Sequence, residues 1–145
     1  MQTTEKALCE AEAKQTNPVT LAFLGDAVYS LWVREKLVRS GAGKAADFQR
    51  AAAKLESAHG QSEYLERILP LFTEEEEEIY RRARNAKKAT KSKNAGAGEY
   101  NRSTGFEAVI GYLYLLGRGE RIEELLALTD AESLRGQAAF TPFKP

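Results

Sequence analysis

From Pro18 onward, apolar residues at positions 21, 24, 28, 31 and 32 recur every three or four positions until Ser40-Gly41. That period lines them along one side of an α-helix, whereas a strand would alternate by two. Asn17 followed by Pro18 supplies an N-cap and first-turn pair. The spacing predicts a second, alanine-rich helix over 44–58, broken at His59-Gly60, and a shorter one over 61–69 that Pro70 closes. Thr73 and Glu76 form a capping box heading another helix. Its five glutamates, Glu74 to Glu78, sit at the positive end of the helix dipole, with Arg81, Arg82, Arg84, Lys87 and Lys88 towards the other end. Further helices are expected over 104–116 and 119–128. No stretch alternates as a strand does and no segment repeats, so the expected fold class is all-α. A chain of 145 residues has room for one ordinary domain. Residues 1–16 are expected as a flexible segment or short helix, 17–128 as the folded domain, and 129–145 as a loosely ordered tail.

Composition excludes several classes. Hydrophobic content of 43% and charged content of 29% are ordinary for a globular protein. No run reaches the roughly 18 apolar residues of a membrane span. The polar, acidic start "MQTTEKALCEAEAKQ" is unlike a targeting peptide. With Cys9 as the only cysteine, no intrachain disulfide or cysteine-based metal site can form. A cytoplasmic protein is the expectation. The net charge of zero conceals an asymmetry: residues 81–102 carry eight Lys or Arg against one acid, Glu99. A basic segment on an otherwise acidic chain points to a localised anionic partner such as nucleic acid, or else to a solvated lysine-rich loop. Residues 89–102, "ATKSKNAGAGEYNR", read as that loop, with glycines at 96 and 98.

Two carboxylates stand out because each is the only charge in an apolar helix. In "LAFLGDAVYSLWV" it is Asp26, whose helical neighbours are Val19, Ala22, Phe23, Tyr29, Ser30 and Val33. In "STGFEAVIGYLYLL" it is Glu107, with Ser103, Ile110, Gly111 and Tyr114 around it. Each has a structural explanation. Gly25 could break the first helix and leave Asp26 as a cap, and Thr104 with Glu107 fits a capping box. Taken together the two acids suggest more. Apolar helices pack against each other, and converging carboxylates repel unless a cation lies between them. Mg²⁺ prefers oxygen ligands, keeps several waters and is commonly shared with phosphate, so two protein carboxylates suffice. With a basic loop just before Glu107, the chemistry indicated is metal-assisted phosphodiester hydrolysis.

"FLGDAV", followed about eighty residues later by "FEAVIGYLYL", resembles the two signatures of ribonuclease III catalytic domains. "LAFLGDAVY", "FTEEEE", "RARNAK" and "STGFEAVIGYL", in that order, resemble the Mini-ribonuclease III subgroup, which lacks a double-stranded-RNA-binding domain. The resemblance covers residues 17–128. It implies an all-helical homodimer that cleaves double-stranded RNA with Mg²⁺, for which Mn²⁺ is a possible substitute, leaving 5′-phosphate and 3′-hydroxyl ends. It further implies maturation of the 23S ribosomal RNA precursor in bacteria, with a ribosomal protein as a possible partner. Asp26 and Glu107 are then the catalytic and metal-binding residues, with Asp26 the first choice for the essential one. Three acids of full-length ribonuclease III are replaced here by Val19, Ala22 and Thr104, which leaves the metal count open.

Lys87, Lys88, Lys91, Lys93 and Arg102 are candidates for phosphate contacts, with Arg84 and Asn85 nearer the strand junction. Duplex RNA is read mainly by shape and backbone. His59 reads as a surface residue, and Trp32, Tyr112 and Tyr114 as core or dimer-interface residues. The alternative function is a ribonuclease III-like protein that binds structured RNA without cutting it, as the missing acids would allow.

Overall fold

A computed structural model describes residues 5–41, 43–87 and 96–127. Among them every regular element is helical: α1 (Glu10–Gln15), α2 (Pro18–Arg39), α3 (Ala45–Glu56), α4 (Ala58–Ile68), a 3-10 turn (Leu69–Leu71), α5 (Glu74–Asn85), α6 (Ala97–Leu115) and α7 (Gly119–Leu126). The all-α expectation holds. At the head of α2 the Asn17 side chain accepts hydrogen bonds from the amides of Val19, at 2.8 Å, and Thr20. The helix then runs unbroken through Gly25. Asp26 is therefore a mid-helix residue and caps nothing.

Two boundaries differ from the sequence expectation. The break before α4 falls at Ser57, whose hydroxyl accepts from the amide of Gly60, so His59 and Gly60 lie in the first turn of the helix. Helix α6 starts at Ala97, about two turns before the predicted residue 104. Burial of Ser103 to Phe106 against neighbouring helices outweighs the poor helix propensity of Gly98 and Asn101. Thr104 consequently bonds back to the carbonyl of Tyr100 within the helix, and no capping box forms with Glu107. The expected loop loses residues 97–102 to helix. Residues 88–95 lie outside the described residues, as does the tail from residue 128.

Helix α6 is the axis of the domain, with α2, α4 and α5 packed around it. Its residues 108–113 are buried on every side, as a helix apolar all round requires. Phe106, fully buried, is held edge-on by Tyr29 of α2 (centroids 5.1 Å apart) and Tyr64 of α4 (6.1 Å). Such T-shaped pairs add orientation to the apolar burial. Trp32 and Tyr112 are core residues, as expected. Tyr112 also donates to Glu75, which Arg118 pairs with at 2.7 Å.

The glutamates of α5 do more than complement its dipole. Glu76 closes the capping box with Thr73 and is almost wholly buried, where both its oxygens receive Arg121 of α7, at 2.9 and 2.8 Å. Burial pushes this carboxyl upward, but the Arg121 and Thr73 hydrogen bonds outweigh it and hold it below the ordinary range. Arg121→Ala would leave that charge buried and unpaired, and is expected to cost ~3–5 kcal/mol in urea unfolding at pH 7. Because the folded value is depressed, the contribution of the pair is present above the ordinary carboxylate range and is lost as pH falls through the folded value.

Candidate active site

Asp26 and Glu107 meet where α2 crosses α6. The crossing is unusually close because each helix presents a glycine to the other. A Cβ built on Gly25 would lie 1.7 Å from the carbonyl oxygen of Glu107, and one on Gly111 would lie 2.0 Å from that of Leu21. Only hydrogen fits at either place. The residue after Gly25 is Asp26, and the carbonyl touching Gly25 belongs to Glu107, so the glycine contact itself sets the two acids side by side.

The acids sit in unequal environments. Asp26 is exposed, beside exposed Phe23 and Ala27, whereas Glu107 is half-buried. The apolar neighbours read from the sequence therefore divide: Tyr29 and Val33 turn to the core, and Phe23 turns to solvent. The Glu107 carboxyl is pushed up to about 9, chiefly by burial. Its hydrogen bond with Asp26 and the Asp26 charge add to the rise, while hydrogen bonds from Gln61 and Ser103 oppose it. Glu107 is thus the acid of the two that keeps its proton at neutral pH.

Gln61 was not singled out by sequence reasoning. It is 1% exposed. Its oxygen accepts from the Ser103 hydroxyl at 2.7 Å, and its nitrogen donates to the carbonyl of Glu56 at 3.2 Å. Ser103 lies one helical turn before Glu107, with its hydroxyl 3.5 Å from that carboxylate. A signal for Gln61 did exist: it opens the buried stripe Gln61, Tyr64, Leu65, Ile68 of α4, a polar residue at an apolar position.

The two carboxylates, with an amide and a hydroxyl behind them, offer hard oxygens suited to Mg²⁺ or Mn²⁺. Among the described residues no group of three or more His, Cys, Asp or Glu is assembled to hold a metal. Ala22 is buried, and Thr104 spends its hydroxyl on Tyr100, so neither supplies a further ligand.

Residues 19–118 match the family model of the ribonuclease III domain. A Mini-ribonuclease 3 of Symbiobacterium thermophilum is 44% identical over 120 residues, covering 83% of this chain and 92% of that protein. The Mini-ribonuclease 3 of Brevibacillus brevis is 44% identical over 122 residues, covering 81% and 91%. The chain belongs to the ribonuclease III family, in its Mini-ribonuclease III group. It is an endoribonuclease of that type. The crystal structure of a Fusobacterium nucleatum protein has the same fold, with a TM-score of 0.74 at 29% identity, covering 81% of this chain and 94% of that one.

The other residues expected to serve this ribonuclease III-type site divide by position. Arg84 lies over the Tyr80 ring and bonds Asn85 at the end of α5, and exposed Lys87 follows. Arg102, on α6, pairs loosely with Glu66 at 3.8 Å. Lys88, Lys91 and Lys93 lie outside the described residues. The flanks of the basic segment thus come from the end of α5 and the start of α6, the helix that carries Glu107. His59 is exposed, with Glu63 and Glu99 on its two ring nitrogens at 2.8 and 2.7 Å. The Glu99 hydrogen bond and both charges raise its pKa, as suits a surface link between α4 and α6. No described helix is long and apolar enough to cross a membrane.

Proposed function

We propose that this endoribonuclease hydrolyses double-stranded RNA with a divalent cation, Mg²⁺ or in its place Mn²⁺, held by Asp26 and Glu107. The observation that carries the reading is the contact of two lone carboxylates, enforced by the glycine crossing of α2 and α6. A carboxyl that burial and a neighbouring acid keep protonated is poised to take a cation instead, and cation binding would release that proton. The chemistry a bound cation supplies is a water of lowered pKa and relief of the charge developing on the scissile phosphate. Asp26, open to solvent, faces the incoming backbone. Glu107, held by its own helix and the shell behind it, fixes the inner side of the site. Arg84, Asn85, Lys87, Lys88, Lys91, Lys93 and Arg102 contact phosphates along the A-form duplex. Water adds to phosphorus and the bond to the 3′ oxygen breaks, leaving 5′-phosphate and 3′-hydroxyl ends. Residues 17–128 form the catalytic domain, and the substrate in the cytoplasm is the 23S ribosomal RNA precursor, with a ribosomal protein as a possible partner.

The enzyme acts as a homodimer on this reading. Helix α2 is apolar on both sides, and its outer side leaves Phe23 82%, Leu31 53% and Val38 66% exposed. A second copy, offering the same stripe about a two-fold axis, would cover it. Phe23→Glu is expected to yield a monomer in light scattering, and an unchanged dimer would move the interface elsewhere.

Cleavage of a long duplex RNA in Mg²⁺, in EDTA and by Asp26→Asn tests the activity. Products are expected only from the parent protein in Mg²⁺. Duplex binding without metal-dependent products would support the RNA-binding alternative, and full cleavage by Asp26→Asn would overturn the site.

A further inference from the structure

Behind the two carboxylates lies a polar pair with no packing reason to be there. The Gln61 amide is buried among apolar residues of α4, a position costly for a polar group unless each of its atoms is bonded. Its bonds fix which end is which. The oxygen accepts from Ser103 at 2.7 Å, and the nitrogen gives one hydrogen to the Glu56 carbonyl near the end of α3. Flipping the amide would set oxygen against oxygen at Glu56. The second hydrogen of the nitrogen is the one left to turn to the Glu107 carboxyl, which Gln61 neighbours. Ser103 has one hydrogen and two acceptors, Gln61 at 2.7 Å and Glu107 at 3.5 Å. The shorter bond takes it, so Ser103 acts on Glu107 through Gln61.

We propose that Gln61, oriented by Ser103 and the Glu56 carbonyl, is a positioning residue that locks the Glu107 carboxylate in the rotamer that receives the cation. The inference rests on the cation-binding reading of Asp26 and Glu107. Glu107 has three rotatable side-chain bonds, and among the described residues two carboxylates, with no third acid, meet at this site. A loose Glu107 would cost such a sparse site more than one richer in ligands. The amide lends α3, α4 and α6 to the rigidity of one ligand. Outer partners that orient metal ligands typically change metal affinity 10- to 100-fold when removed.

The test is Mn²⁺ binding by the RNA-free protein in isothermal titration calorimetry, for Gln61→Met, Ser103→Ala and Asp26→Asn. Gln61→Met keeps the length of the side chain and removes the amide. Its Mn²⁺ affinity is expected to fall about 10-fold or more, with a smaller loss for Ser103→Ala. Duplex-RNA affinity in EDTA should stay at the parent value, and cleavage by Gln61→Met should recover as Mg²⁺ is raised. A lowered Tm with unchanged Mn²⁺ affinity would reduce Gln61 to a packing residue and overturn the proposal. If Gln61→Met does not fold, Ser103→Ala decides, since it removes the orienting hydroxyl and adds no bulk. Parent-like Mn²⁺ affinity in that variant overturns the proposal equally. Asp26→Asn separates the two levels. If it binds Mn²⁺ as the parent does, the cation site itself is wrong; if it alone loses Mn²⁺, only the role of Gln61 falls.

Discussion

Glu107→Gln is expected to abolish cleavage and, in the same molecule, to stabilise the metal-free fold. The loss follows from removing one of the two carboxylates proposed to hold the cation. An electrostatic contribution of several kcal/mol corresponds to at least ~10³-fold in rate. The gain follows from the proton that Glu107 keeps in the folded chain. Glu107 is pushed up to about 9, above its ordinary 4.5, by burial and then by Asp26. Between those values the folded chain keeps a proton that the unfolded chain has released. Stability from this group is therefore full below the ordinary value and declines as pH rises, by up to ~1.4 kcal/mol per pH unit, until the folded value is passed. Glutamine cannot ionise, and its amide can still donate to Asp26. Urea unfolding in EDTA should find the two proteins alike near pH 4.5 and the variant more stable at pH 8. Saturating Mg²⁺ should narrow the gap at pH 8 by stabilising the parent alone. A variant less stable than the parent at every pH would mean that Glu107 serves the fold, and that the raised carboxyl is no mark of function.

That coexistence of gain and loss explains why the two acids were legible. A charge inside an apolar helical period is a local contradiction, and contradictions between residue and environment concentrate at functional sites. Periodicity alone said less about direction. Helix α2 is apolar nearly all round, so the pattern could not tell that Asp26 shares the outer side with Phe23 while Tyr29 and Val33 face the core. The start of α6 is hidden in the sequence because Gly98 and Asn101 are weak helix formers locally, and the burial of the turn after them holds the helix together. Gln61 carried the same kind of signal as Asp26, a polar residue on a buried stripe. It stands out less because an uncharged amide contradicts its surroundings less than a carboxylate does. Dimerisation and the double-stranded form of the RNA came from the family resemblance alone, whereas the two lone carboxylates and the basic segment themselves pointed to a cation and a nucleic acid.

Gly25→Ala is the smallest change expected to dismantle the candidate site without touching either carboxylate. The added methyl carbon would stand 1.7 Å from the carbonyl oxygen of Glu107, 2.6 Å from its carbon and 2.8 Å from the amide nitrogen of Gly111. All three are backbone atoms of the central helix, so no side-chain rotation relieves the clash. The helices must separate, and separation draws Asp26 away from Glu107. Overpacking of this kind costs ~1–3 kcal/mol or more, and displacement of a reacting group by about 1 Å costs on the order of 10²-fold in rate. Both effects are expected together: a fall in Tm, and at temperatures where the variant is fully folded a rate reduced ~10²-fold with weakened Mn²⁺ binding. Gly98→Ala supplies the contrast, because a Cβ there meets nothing within 4 Å and the site lies in the first turn of α6. Alanine should stabilise that turn by up to ~1 kcal/mol and leave Mn²⁺ affinity unchanged. Normal cleavage by folded Gly25→Ala would show that the acids act without being held side by side, and the geometry of the crossing would lose its link to catalysis.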